Sequence, residues 1–130
     1  MAYNVLVVDD SAVMRGMILK ALRLSGVEMG EVYQAGNGQE GLDVLDRHWV
    51  DIVFADIHMP VMSGEEMVQN IQARPDISDV PIVIISSDKS QERIDALEKQ
   101  GIRYICKPFT PETIRKVVRE TLGAYDEPIA

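Results

Sequence analysis

Val5-Leu6-Val7-Val8-Asp9-Asp10 is the stretch that decides the fold: a run of branched apolar residues stops abruptly at two acids. Three later segments repeat the pattern. Ile52-Val53-Phe54-Ala55 runs into Asp56, Ile82-Val83-Ile84-Ile85 into Ser86-Ser87, and Tyr104-Ile105-Cys106 into Lys107-Pro108. Uninterrupted apolar runs of this length suit strands buried on both faces, as in a parallel sheet covered by helices. In open sheets of that kind the functional crevice lies outside the carboxyl ends of the strands. Asp9, Asp10, Asp56, Ser86 and Lys107 then gather at one edge. Isolated carboxylates so close together repel, and some stay protonated. A divalent cation and a nearby lysine remove that repulsion, so the cluster reads as a Mg²⁺ site beside a reactive group.

At 130 residues, 46% of them apolar and 26% charged, the chain fits one globular domain with a substantial core. The formal charge of −8 argues against nucleic acid as a partner, since a nucleic-acid-binding domain carries a basic patch. Cys106 is the only cysteine, so no internal disulfide forms, in keeping with a reducing cytoplasm. The N-terminus has no signal-peptide pattern, and no apolar stretch approaches the roughly 20 residues of a membrane span. The expectation is a cytoplasmic protein with no membrane association.

Strand-like and helix-like segments alternate along the whole chain. Ser11 caps a helix to about Ser25, with Val13, Met14, Met17, Ile18, Ala21 and Leu22 at helical spacing and Gly26 as the stop. Glu31–Ala35 is a short second strand. Asn37-Gly38-Gln39-Glu40 carries the cap-x-x-Glu pattern before a helix running from Gly41 to about Arg47. Asp51–Ala55 is the third strand, and the loop from Asp56 to Met62 contains Pro60. Ser63-Gly64-Glu65-Glu66 opens a helix to about Ala73, and Pro75 and Pro81 bracket the loop before strand four. Gln91–Gln100 is a helix stopped by Gly101; Thr110-Pro111 heads the last one, which Gly123 closes. Five strands and five helices in strict alternation mean a doubly wound α/β fold with a five-stranded parallel sheet. The domain is expected over residues 1–124, with 125–130 as a frayed tail. Cys106 and the methionines read as packing residues, and His48 as a helix-end residue.

Val7-Val8-Asp9-Asp10-Ser11, Asp56-Ile57-His58-Met59-Pro60 with Gly64, Ser86-Ser87, and Lys107-Pro108-Phe109 together resemble the signature blocks of the receiver domain of two-component response regulators. The resemblance covers about residues 4–122, with the blocks in the family's order. It implies the flavodoxin-like strand order 2-1-3-4-5, an order documented for the chemotaxis regulator of that family. It implies phosphorylation of Asp56 by a histidine kinase, with Mg²⁺ held by Asp10, Asp56 and the His58 backbone carbonyl, and by Asp9 largely through water. It further implies that Lys107, ahead of a cis bond to Pro108, contacts the phosphoryl group, that Ser86 is the switch hydroxyl and that Tyr104 is the aromatic coupled to it. A helix cap or loop-solvating role for Asp56, a helix-dipole role for Asp9-Asp10, and a plain half-buried aromatic for Tyr104 are the structural alternatives.

His58 and Asp88, two residues beyond Asp56 and Ser86, occupy positions that tune dephosphorylation in the family. A His/Asp pair there departs from its common Asn/Glu. The segment from Gly101 to Tyr104 is one residue shorter than the family's usual turn into strand five, and Ile57 follows Asp56 where some relatives carry a tryptophan. With no output domain in the chain, the signal is expected to leave through a protein partner, such as a flagellar motor switch, on the helix four–strand five–helix five face. Gln91, Ile94, Tyr104 and Phe109 are candidate contacts there. The protein is expected to be a monomer or a weak phosphorylation-dependent dimer, and not an enzyme beyond its own phosphorylation and dephosphorylation. A phosphate relay or sink is the alternative. A metal-dependent phosphohydrolase is weaker because His58 replaces the second acid of an Asp-x-Asp motif. A flavin protein is weaker still, since strand one ends in acids where phosphate would bind.

Overall fold

The computed structural model describes residues 2–123, so the expected frayed tail lies outside the described residues. The elements are β1 (Tyr3–Val8), α1 (Ala12–Leu24), β2 (Met29–Ala35), α2 (Gly38–Arg47), β3 (Ile52–Ala55), α3 (Gly64–Gln72), β4 (Ile82–Ser86), α4 (Gln91–Lys99), β5 (Arg103–Cys106) and α5 (Pro111–Leu122). The strands form one parallel sheet in the order β2-β1-β3-β4-β5, the doubly wound fold expected from the alternation. Among the described residues, no helix is long and apolar enough to cross a membrane.

Strand alternation splits the core into two layers. Leu6, Val8, Val53, Ala55, Ile82 and Ile84 face one cluster, closed by Leu42 and Leu45 of α2, Met67, Val68 and Ile71 of α3, and Leu97 of α4. Their neighbours Val5, Val7, Ile52, Phe54, Val83 and Ile85 face the other, closed by Ile18 and Leu22 of α1 and Ile114, Val117 and Val118 of α5. Burial on both sides is why β1, β3 and β4 read as unbroken apolar runs.

Helix starts follow the sequence signals. Ser11, Asn37, Ser63, Ser90 and Thr110 each accept a backbone N–H of the first turn. Ser63 and Glu66 complete a reciprocal capping box. At α2 the box is only half formed. Asn37 accepts the Glu40 N–H at 3.0 Å, but Glu40 reaches back to the N–H of Gly36 at 2.9 Å, one residue earlier than the pattern implies. Helix α2 accordingly begins at Gly38 rather than Gly41, and β2 begins at Met29 rather than Glu31.

Three packing expectations fail. β5 is an edge strand, so its run is not buried on both faces, and Cys106 is exposed rather than packed. Val13 and Met17 are 75% and 52% exposed, because α1 turns only its Ile18, Leu22 side to the sheet. His48 does end α2, where its ring stacks on Tyr33 at 4.4 Å.

Candidate functional site

The sheet ladder itself assembles the site. The Asp9 N–H donates to the Ala35 carbonyl at 3.0 Å, Asp56 N–H to Val8 at 3.0 Å, and Lys107 N–H to Ser86 at 2.9 Å. Each strand therefore delivers its first residue beyond the pleat to the same edge. One carboxylate oxygen from each of Asp9, Asp10 and Asp56 lies within 4.8 Å of the others. Lys107 Nζ stands 3.7 Å from Asp9 Oδ2 and 3.8 Å from Asp56 Oδ2. The Lys107–Pro108 peptide is cis.

Asp9 is the strained member. It is buried, its Oδ1 accepts the Ser11 N–H at 2.9 Å, and its Oδ2 is buried with no hydrogen bond. Burial pushes the Asp9 carboxyl above the usual aspartate range, and the charges of Asp56 and Asp10 push the same way. The Ser11 N–H and the Lys107 ammonium oppose them without winning. An orphaned carboxylate oxygen facing two more carboxylates is a set of hard oxygen donors that fits a small divalent cation. Asp10 is exposed and Asp56 half-buried, with Asp56 Oδ1 accepting the Ile57 N–H at 2.8 Å.

Gly64 fixes the backbone of Asp56. Its N–H donates to the Ile57 carbonyl at 2.8 Å, and a β-carbon at this position would meet the Asp56 carbonyl oxygen at 2.1 Å. Only glycine allows α3 to start that close. The loop between them contains a tight turn in which the Met62 N–H donates to the Pro60 carbonyl at 2.7 Å across Val61, whose φ is 69°.

On the neighbouring strand, Ser86 is buried and Ser87 exposed. Ser86 Oγ accepts the Asp88 N–H at 3.1 Å, and the Tyr104 hydroxyl donates to the Asp88 carbonyl at 2.6 Å. Burial raises the Tyr104 phenol, which stays a donor. His58 Nε2 and Asp88 Oδ2 are 3.0 Å apart, joining the loops after β3 and β4. The Ser90 N–H first, then His58 and Arg93, hold the Asp88 carboxyl below its ordinary value.

Two arginines absent from the sequence reading reach this edge. Arg15 Nη1 donates to the Asp9 carbonyl at 2.5 Å and Arg93 pairs with Asp88 and Glu65. A cleft of about 640 Å³ between the α2–β3 and α3–β4 connections includes none of these residues.

The model of the response regulator receiver domain matches residues 5–119. The chain belongs to that family. It is 33% identical over 122 residues to the chemotaxis protein CheY homolog of Campylobacter jejuni, covering 92% of each chain. It is 32% identical over 125 residues to chemotaxis protein CheY1 of Helicobacter pylori, covering 95% of this chain and 99% of that one. The structure of the chemotaxis response regulator CheY4 of Vibrio cholerae superposes with a TM-score of 0.80 at 30% identity, over 93% of this chain and 99% of that one. Receiver domains of this kind are signalling proteins rather than metabolic enzymes and typically bind Mg²⁺ at an acidic pocket; here Asp9, Asp10 and Asp56 form an acidic cluster.

Proposed function

We propose that the chain is a cytoplasmic phospho-receiver whose Asp56 accepts a phosphoryl group from a histidine kinase. The observation that carries the reading is the placement of Lys107 Nζ between Asp9 Oδ2 and Asp56 Oδ2, at the edge where the Asp9, Asp10 and Asp56 carboxylates converge. Asp56 Oδ2 attacks the phosphorus of a phosphohistidine, the P–N bond breaks, the imidazole leaves, and an acyl phosphate forms on Asp56. Mg²⁺, held by Asp10, Asp56 and the His58 carbonyl and through water by Asp9, would neutralise charge on the transferring group. Lys107 gives up part of its pairing with Asp56 and contacts a phosphoryl oxygen instead.

Ser86 turns its hydroxyl proton toward the phosphoryl group and moves with it. The Asp88 N–H then loses its acceptor, the β4–α4 loop shifts, and Tyr104 loses the carbonyl to which it donates. That sequence redistributes the face made by α4, β5 and α5, where Gln91, Ile94, Tyr104 and Phe109 are placed to meet an output protein. The similarity to chemotaxis regulators makes a flagellar motor switch the leading partner. His58 and Asp88 set the rate of dephosphorylation.

The test is intact mass after incubation with acetyl phosphate and Mg²⁺, beside an Asp56→Asn variant. One added phosphoryl group on the wild type and none on the variant is expected. A wild type that stays unmodified, or an Asp56→Asn variant modified equally, overturns the reading.

A further inference from the structure

We propose that Arg93 is a positioning residue for phosphoryl turnover, holding the His58–Asp88 bridge across the mouth of the site; this rests on Asp56 being the phosphoryl acceptor. A closed chain of contacts links Arg93 to Asp56. Asp56 is packed against Gly64, and Glu65 follows Gly64 in the first turn of α3. Arg93 Nε donates to Glu65 Oε2 at 3.3 Å, while its Nη1 pairs with Asp88 Oδ2. The same Asp88 oxygen meets His58 Nε2, and His58 lies two residues beyond Asp56. The chain therefore starts and ends on the backbone that carries Asp56.

β3 and β4 are neighbours in the sheet, so a contact between residues two beyond Asp56 and Ser86 spans the crevice they line. His58 is 60% exposed in its side chain, and among the described residues its ring has no other hydrogen-bond partner, whereas Asp88 is anchored twice more, by the Ser90 N–H at 2.9 Å and by Arg93. The guanidinium is planar, and its separate N–H groups reach two carboxylates from one rigid body, which an ammonium cannot do. Exposed ion pairs contribute little to stability. Their value here is geometric: Glu65 and Arg93 present Asp88 Oδ2 at a fixed place, and Asp88 holds the imidazole over the approach to Asp56. With the bridge in place, water reaches an acyl phosphate on Asp56 through a narrowed opening.

The experiment loads the wild type, Arg93→Ala, Arg93→Lys, Glu65→Gln, His58→Ala and Arg93→Ala/His58→Ala from acetyl phosphate, removes the donor, and follows phosphoryl loss by intact mass. Arg93→Ala is expected to lose the group about threefold to tenfold faster, in the lower part of the range that coupling between contacting residues produces. Glu65→Gln and Arg93→Lys should fall between it and the wild type. In the His58→Ala background, Arg93→Ala should add nothing, and its melting temperature should stay near that of its parent.

A ¹H–¹⁵N spectrum of the unphosphorylated protein supplies a second readout: the His58 ring signals should move in Arg93→Ala. Decay at the wild-type rate, or a double variant whose acceleration is the product of the singles, overturns the proposal. If the wild type takes no phosphoryl group at all, the acceptor reading fails. The His58 signals then decide the positioning claim alone, and unchanged signals in Arg93→Ala overturn it too.

Discussion

Gly64→Ala tests how the fold places Asp56. The new β-carbon would lie 2.1 Å from the Asp56 carbonyl oxygen and 3.0 Å from both the Asp56 carbonyl carbon and the Ile57 Cα. Close carbon–oxygen contacts in proteins sit at about 3.3 Å, so roughly 1.2 Å must be found between two backbone segments. No side chain can rotate away to supply it. Overpacking of this kind costs about 1–3 kcal/mol. Separating the segments also weakens the Gly64 N–H bond to the Ile57 carbonyl, adding about 1 kcal/mol. The expected loss is about 2–4 kcal/mol, or a melting temperature lower by roughly 10 °C for a domain of this size. Urea unfolding measures the loss, and phosphorylation by acetyl phosphate at a temperature where the variant is still folded measures the displacement of Asp56. Gly16→Ala is the matched control: a β-carbon on that helical glycine meets nothing within 4 Å. It should stabilise by about 0.5–1 kcal/mol. If Gly64→Ala unfolds with the wild type and phosphorylates at its rate, the close approach of α3 to Asp56 is not what positions the acceptor.

Two further outcomes follow from strain at the same edge. The Asp9 carboxyl is raised in the folded protein, so its contribution to stability is fully present below the ordinary aspartate value of about 3.9 and is lost as pH rises through the folded value. Asp9→Asn keeps the acceptor for the Ser11 N–H and removes the charge. It should therefore melt about 3 °C higher than the wild type in EDTA at neutral pH, lose that advantage in acid, and respond less to added Mg²⁺; a variant that melts lower in EDTA at neutral pH refutes the account. Val61 has φ 69° and is 81% exposed, a left-handed γ-turn centre with a β-branched side chain that packs on little. Val61→Asn should stabilise by about 1 kcal/mol in urea unfolding, and no gain would mean the turn is not strained.

What was legible in the sequence was whatever local chemistry writes. The apolar runs of β1, β3 and β4 and the capping residues Ser11, Asn37, Ser63 and Thr110 gave the order of elements, and the residues ending each run gave the edge where Asp9, Asp10, Asp56, Ser86 and Lys107 meet. What was hidden depended on neighbours distant in sequence. Helical spacing on α1 cannot tell that Val13 and Met17 fall outside the arc covered by the sheet. A short apolar run cannot announce that β5 is an edge, so Cys106 looked like core. Gly64 was visible as part of a motif, but its reason, the 2.1 Å approach to the Asp56 carbonyl, is tertiary. Arg93 carried no signal: its partners Glu65 and Asp88 lie 28 and 5 residues away, and an arginine in the first turn of an exposed helix reads as a solvated charge.

The hydrogen bonds around Asp88 bear on how finely the proposed switch is balanced. Its N–H is taken by Ser86 Oγ, its carbonyl by the Tyr104 hydroxyl, one carboxylate oxygen by the Ser90 N–H and the other by His58 and Arg93. Ser86 in turn is buried, with its hydroxyl oxygen already engaged as an acceptor. A phosphoryl group on Asp56 would take the Ser86 hydroxyl proton as a hydrogen bond, and as Ser86 moves toward it the bond from the Asp88 N–H is given up, an exchange of one hydrogen bond for another that leaves a small net difference. A switch built from exchanges sits near balance in both states. The charge-assisted contact between Ser86 and the phosphoryl group then needs to add only a few kcal/mol to move the population from one side to the other. The same balance makes each partner of Asp88 a place where the resting population is set, Tyr104 from the output face and Arg93 from α4.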